Sequence, residues 1–180
     1  MSKQCCGTSV GVLVFDKARA QMLMIKRGTL PAGIAPVAGH ALDEHASYEA
    51  AAYAEVAEEI GLTVTGLSRL TAGGHHPGRC RRQGSTGHTW RLYEATVEGD
   101  LAPSEREVAD VRWYPLSELQ ALADRTGAWA AGQISGDEFA ADPGLEPVWV
   151  HWLHALGYVY ATAQDRAAIQ QLAATPPAQH

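Results

Sequence analysis

Cysteine is scarce in this chain, with three residues among 180, and Cys5, Cys6 and Cys80 form no CxxC pair. An odd count without paired spacing argues against a disulfide framework and against a paired-knuckle zinc site, and it fits a reducing compartment. Cationic residues are outnumbered: 14 Lys and Arg face 20 Asp and Glu, for a net charge of −6. The broad basic field of a dedicated nucleic-acid-binding domain is therefore missing. Long apolar runs are missing too. No stretch approaches the roughly 20 residues that span a bilayer, and the start MSKQCCGTSVGVLVFDK lacks the layout of a cleavable signal. The expectation is a soluble, cytoplasmic protein without membrane contact.

What is present suffices for one core. The chain is 46% hydrophobic, and no repeat or linker divides it, so residues 1–180 are expected to form a single domain. Ser9 to Phe15 and Met22 to Ile25 read as strands about a turn, and Gly28 to Gly39, rich in glycine and proline, as a loop. Ser47 caps an expected helix to Ile60, with Gly61 as its C′ residue. Leu62 to Leu70, Thr89 to Val97 and Val108 to Tyr114 read as further strands, and Gly73 to Gly87 as a turn-like connection. Pro115, Ser117 and Gln120 suggest a capping-box start for a short helix to about Ala123. Pro147 opens another that ends near Gly157, with His151 and His154 expected on its exposed face. A helix over about 163–173 and a frayed tail complete the reading.

The stretch GHALDEHASYEAAAYAEVAEEIGL, Gly39 to Leu62, carries the strongest chemical signal. At 100° per residue Glu55, Glu58 and Glu59 fall within an arc of roughly 100°, with Tyr53, Val56, Ala57, Ile60 and Ala50 expected on the opposite, core-facing side. Like charges at this spacing repel, by about 0.2–0.5 kcal/mol per pair when exposed. A hard divalent cation with oxygen ligands would offset the repulsion. A solvated acidic face, with no ion, is common on helices and is the reading that the three glutamates alone favour.

The stretch resembles the Nudix box, G-x5-E-x7-R-E-U-x-E-E-x-G-U with U aliphatic. Glu55, Val56, Glu58, Glu59, Gly61 and Leu62 match its second half without a gap, and VRWYPLSEL resembles a frequent Nudix strand-to-helix sequence, so the likeness extends from about Ser9 to Leu122. Gly39 stands one residue too far from Glu55. The first glutamate of the pattern falls on Ala46 and the arginine on Ala54, so an ion pair that braces the family's loop is lost from both sides, leaving no orphan charge.

The resemblance implies an α/β fold, a Nudix-like mixed sheet between helices, with a core over about 9–125, a helical C-terminal extension over about 126–173 and a tail at 174–180. It further implies a metal-dependent diphosphohydrolase acting on a nucleoside diphosphate derivative or related organic diphosphate. Mg²⁺, or Mn²⁺, would be held by the Gly39 carbonyl, Glu55, Glu58 and Glu59, with Glu55, Glu58 or Glu107 as the general base. The alternative is a Nudix-fold ligand-binding or regulatory module with weak or no catalysis.

Arg79, Arg81 and Arg82, in GGHHPGRCRRQGSTGH, suit phosphate recognition, or else decorate a surface hairpin. Cys5, Cys6 and Cys80 with His75 or His76 offer zinc-type donors, but no fixed ligand spacing links them. Gly7-Thr8-Ser9-Val10-Gly11 matches the G-x-S-x-G elbow, yet a strand rather than a helix pattern follows the serine, so the match is set aside. A small-molecule diphosphate is the expected partner, and the sequence leaves a homodimer open.

Overall fold

A computed structural model describes residues 4–29, 31–78, 80 and 82–174. Strands β1 (Thr8–Phe15) and β2 (Gln21–Arg27) form from the two apolar runs. In the turn between them the Asp16 carboxylate accepts the N–H groups of Ala20 and Gln21 at 2.7 and 2.8 Å. The segment expected as loop contains two short strands, β3 (Ile34–Ala35) and β4 (Val37–His40). Pro36 separates them, and neither is long enough to show a period of two.

Helix α1 (Tyr48–Ile60) starts where Ser47 Oγ accepts the Ala50 N–H at 3.1 Å. It ends at Gly61, whose φ of 74° suits a residue without a β-carbon. Strands β5 (Thr63–Pro77) and β6 (Gly87–Glu98) are longer than their apolar runs. A register shift between Arg69 and Gly73 lets β5 continue through the glycines, so the expected connection shrinks to the chain between Pro77 and Gly87.

Strand β7 (Val108–Pro115) leads through a 3-10 turn, Leu116–Glu118, into α2 (Leu119–Ala130). The capping box expected at Ser117 does not form, because the tight turn brings Glu118 to the N-cap, where its side chain makes no capping bond. A capping box occurs instead at Ser135 and Glu138, opening α3 (Gly136–Ala141). Helices α4 (Pro147–Ala155) and α5 (Ala163–Ala174) follow. Residues 175–180, the rest of the tail expected to fray, lie outside the described residues.

Among the described residues the strands form one mixed sheet with the path β3-β2-β1-β6-β5. β1 is its hinge line. It runs parallel to β6, pairs β2 only through Val14 and Phe15, and pairs β4 from Ser9 to Val12. β2 and β4 thus share one edge of β1, and β7 extends the sheet beyond β2. The register that sets Val10 opposite Gly39 fixes where Gly39 stands.

Helices lie against both faces of this sheet. Trp149 of α4 is fully buried and packs so close to β1 that a β-carbon on Gly11 would meet its ring at 2.6 Å. Trp90 of β6 meets it edge-on at 6.0 Å. His151 and His154 are half-buried, not exposed, because both β5 and α5 pack on α4: the His151 ring lies 4.7 Å from that of His76 on β5, and His154 Nε2 lies 2.7 Å from the guanidinium of Arg166 on α5. No helix among the described residues is long and apolar enough to cross a membrane.

Candidate active site

The buried arc of α1 runs, at 100° per residue, through Ala51, Glu55, Tyr48, Glu59, Ala52, Val56 and Ile60. Two of the three glutamates are therefore on the packed side of the helix. Glu55 and Glu59 are 8% and 4% exposed, while Glu58, one step beyond Ala51, is exposed. The expected division into a carboxylate face and an opposite core face is corrected accordingly. Tyr53, Ala57 and Ala50 face solvent, because the small Ala51 and Ala52 let the helix approach the sheet along the same side as the carboxylates.

The Glu55 carboxylate occupies the space above Gly39, where any β-carbon would overlap it. Glu59 Oε2 accepts the Ala38 N–H at 3.2 Å, so the same helix also orients the neighbouring residue of β4. Burial raises both carboxyl groups to about 8. For Glu55 the charges of Glu59, Glu58, Glu107 and Glu44 add to the effect. For Glu59 the Ala38 N–H and Arg27 oppose it.

Two buried carboxylates without a balancing cation are costly in their charged form. A cradle of buried oxygen donors around a residue with no side chain is the donor set a hard divalent cation takes. The residues present therefore fit Mg²⁺ or Mn²⁺.

Other groups border this cradle. Glu44, His45 and Glu55 bring one donor atom each to within 4.8 Å of one another. Glu107 lies close enough to raise both buried glutamates, is 36% exposed at its side chain, and pairs with Arg106 at 2.5 Å. Glu146, just before α4, is buried with its carboxyl raised by desolvation, and Arg27 lies 3.7 Å from it. Glu44, His45, Arg27 and Glu146 were not among the residues singled out in the sequence. For Glu44 and His45 the signal was available in their place between Gly39 and the helix cap. For Arg27 and Glu146 there was none, since only the β2–β3–α4 packing joins them.

Arg82 takes up two carboxylates, Asp43 Oδ2 at 2.9 Å and Glu44 Oε1 at 2.8 Å. It thereby fastens the connection after β5 to the loop before α1, near the positions where Ala46 and Ala54 leave no ion pair. Arg79 and Arg81 lie outside the described residues. A depression of about 250 Å³ between α4 and α5, lined by His76, His151 and Arg166, is not lined by any of these carboxylates.

Comparison with known proteins bears on the family and the fold. A family model described as NUDIX domain matches residues 7–134. No curated protein matches the chain. Among solved structures, the E. coli dihydroneopterin triphosphate pyrophosphohydrolase superposes with a TM-score of 0.52 at 17% identity, covering 94% of this chain and 97% of that one. A NUDIX-family hydrolase from Clostridium perfringens gives 0.52 at 14% identity, with 92% and 97% covered. The NUDIX domain of Shewanella oneidensis NrtR, complexed with ADP ribose, gives 0.52 at 17% identity, with 66% and 77% covered.

Proposed function

Since this chain belongs to the Nudix family, we propose that it hydrolyses a diphosphate linkage in a nucleoside diphosphate derivative or related organic diphosphate, with Mg²⁺ or Mn²⁺ bound. The observation that carries the reading is the pair of buried carboxylates, Glu55 and Glu59, packed against Gly39 and the Ala38 N–H. The Gly39 carbonyl, Glu55, Glu58 and Glu59 would hold the cation. Bound there, it would neutralise charge on the bridging phosphates and make water a better nucleophile.

The chain's own groups do the rest. Glu55 is seated over Gly39, and Glu59 is oriented by the Ala38 N–H of β4. Glu58, exposed at the rim, or Glu107, half-exposed beside Arg106, takes the proton from the attacking water, with Glu55 as the third choice of base. Arg79 and Arg81 contact substrate phosphate. Arg82 joins them only if it gives up Asp43 or Glu44.

The alanines at Ala46 and Ala54 favour a second reading, a Nudix-fold module that binds a diphosphate ligand and turns it over slowly or not at all. The Arg82 brace weighs the other way, because it restores a tie to the loop by a different route. A metal-supplemented screen of nucleotides, nucleotide sugars, dinucleoside polyphosphates, coenzyme A and prenyl diphosphates, read out by product identity, tests both. Product from at least one class supports the hydrolase. Tight Glu59-dependent binding with no product supports the module.

A further inference from the structure

At the start of β1, two strands, the segment before β1 and a loop deliver sulfur and imidazole to one point. The register sets Ser9 opposite His40 of β4, and Thr8 opposite Thr89 of β6, the residue after His88. Cys5 lies just before β1, and its N–H donates to the Gln83 carbonyl at 2.7 Å, which draws the β5–β6 connection, with Cys80, onto the same spot. Cys5 Sγ is 3.2 Å from His88 Nε2, and Cys80 Sγ is 3.2 Å from His40 Nε2. All four donor atoms lie within 4.8 Å of one another.

We propose that Cys5, His40, Cys80 and His88 form a structural zinc site. Two thiolates and two imidazoles are a common tetrahedral donor set. With Zn–S near 2.3 Å and Zn–N near 2.0–2.1 Å, the edges of the tetrahedron come to about 3.3–3.8 Å. The two sulfur–nitrogen separations of 3.2 Å lie just below that range, and the other donor pairs fall within 4.8 Å, close enough for one ion to draw all four together. Two thiolate charges balance the dication, which leaves no net charge at the site.

The outer contacts are those a zinc site uses. His88 Nδ1 lies 2.7 Å from Ser9 Oγ, which fixes Nε2 as the ligand nitrogen when Nδ1 donates. The backbone N–H groups of Gly7 and Arg82 donate to Cys5 Sγ and Cys80 Sγ, each at 3.3 Å, so both sulfurs are already oriented by the backbone. Asp43, whose charge is felt by both Cys5 and His88, has a buried Oδ1 with no hydrogen-bond partner.

Four protein ligands leave no open position, so the ion is structural rather than catalytic. It clamps the N-terminal segment, the β5–β6 connection and the end of β4, where His40 directly follows Gly39. Cys6 stands apart, exposed, with its sulfur 2.9 Å from Thr8 Oγ1. His75 and His76, the imidazoles considered with the cysteines in the sequence, are not in the cluster.

The test does not depend on hydrolysis. Protein purified without chelator, or reconstituted with one equivalent of zinc after metal removal, is assayed for metal by elemental analysis. We expect one zinc per chain, retained in Cys6→Ser and lost in Cys5→Ser, Cys80→Ser and His88→Gln. Wild type loaded with Co²⁺ in place of zinc should show tetrahedral d–d bands and a thiolate charge-transfer band that zinc, but not excess Mg²⁺, abolishes. This measurement decides the matter if the variants fail to fold. Removing zinc should lower the melting temperature, and one equivalent should restore it. No zinc uptake by wild type, full occupancy in Cys80→Ser, an octahedral cobalt spectrum without a thiolate band, or a Cys5–Cys80 disulfide under reducing conditions would overturn the proposal.

Discussion

The Glu55 carboxylate rests on Gly39, filling the volume a β-carbon there would need. Gly39→Ala should therefore displace the carboxylate rather than the strand, because the obstructing atoms are the tip of a flexible side chain. The variant should keep the wild-type circular dichroism spectrum. Its metal-supported turnover should fall by at least about tenfold, or ~1.4 kcal/mol of transition-state stabilisation.

Glu59→Gln keeps the acceptor for the Ala38 N–H and removes one charge from the cradle. Hydrolysis should drop by at least about a hundredfold, ~2.7 kcal/mol, with the helix intact. Glu49→Gln on the same helix is the control. Glu49 accepts the Tyr93 hydroxyl at 2.7 Å, an interaction glutamine preserves, so steady-state kinetics should be close to wild type. Equal loss in both variants would remove the metal assignment.

In buffer without divalent cations, stability should fall as pH rises. Glu55 and Glu59 titrate near 8 when folded, against 4.5 for an ordinary glutamate. The folded state thus holds more protons than the unfolded chain between these values. Stability is then full below 4.5 and lost as pH rises through 8. Glu146, also raised by burial, acts in the same direction. His76 and His88, lowered to about 4 from 6.5, act the opposite way, but only below 6.5. The melting temperature from about pH 6.5 to 8 should therefore decline, less steeply with Mg²⁺ and least in the Glu55→Gln, Glu59→Gln double variant. A rise over that range in wild type would contradict it.

Arg82→Ala separates a brace from a phosphate clamp. With Arg82 spent on Asp43 and Glu44, the substitution should lower kcat with little change in KM. A clamp that contacts substrate before and during reaction would raise KM and leave kcat alone. Measuring both constants for any active substrate decides between them.

Trp149→Ala should destabilise the whole domain by about 3–5 kcal/mol in denaturant titration, as expected for a fully buried tryptophan that leaves a cavity. The helices after residue 134 would then count as part of the core. An unchanged midpoint would make them a separate appendage.

Much of this was legible in the chain. The β1 and β2 runs, the Ser47 cap, the Gly61 stop and the Glu55–Leu62 half-motif all depend on local spacing, and local spacing is what a sequence displays. β3 and β4 were not legible, because two and four residues split by Pro36 carry no periodicity. The burial of Glu55 and Glu59 is not legible, because carboxylates normally mark the solvent side of a helix. Nor does spacing join Cys5 to His88 or His40 to Cys80. The pairing of β1 with β4 and β6 does that, together with the Cys5 bond to Gln83 that draws in Cys80.

That pairing also bears on how the chain reaches its native state. β1 is made early, yet Thr8 pairs with Thr89 and Val14 with Ala95, so its parallel partner emerges only after α1 and β5 are complete. Closing so long a loop before contacts reward it is slow, and parallel pairs allow no hairpin shortcut. Until β6 arrives, one side of a strand whose residues from Val10 to Val14 are buried in the finished fold is left open to neighbours. The nascent chain is thus most prone to aggregate in that interval, and chaperone dependence during synthesis should ease once residue 98 has cleared the ribosome.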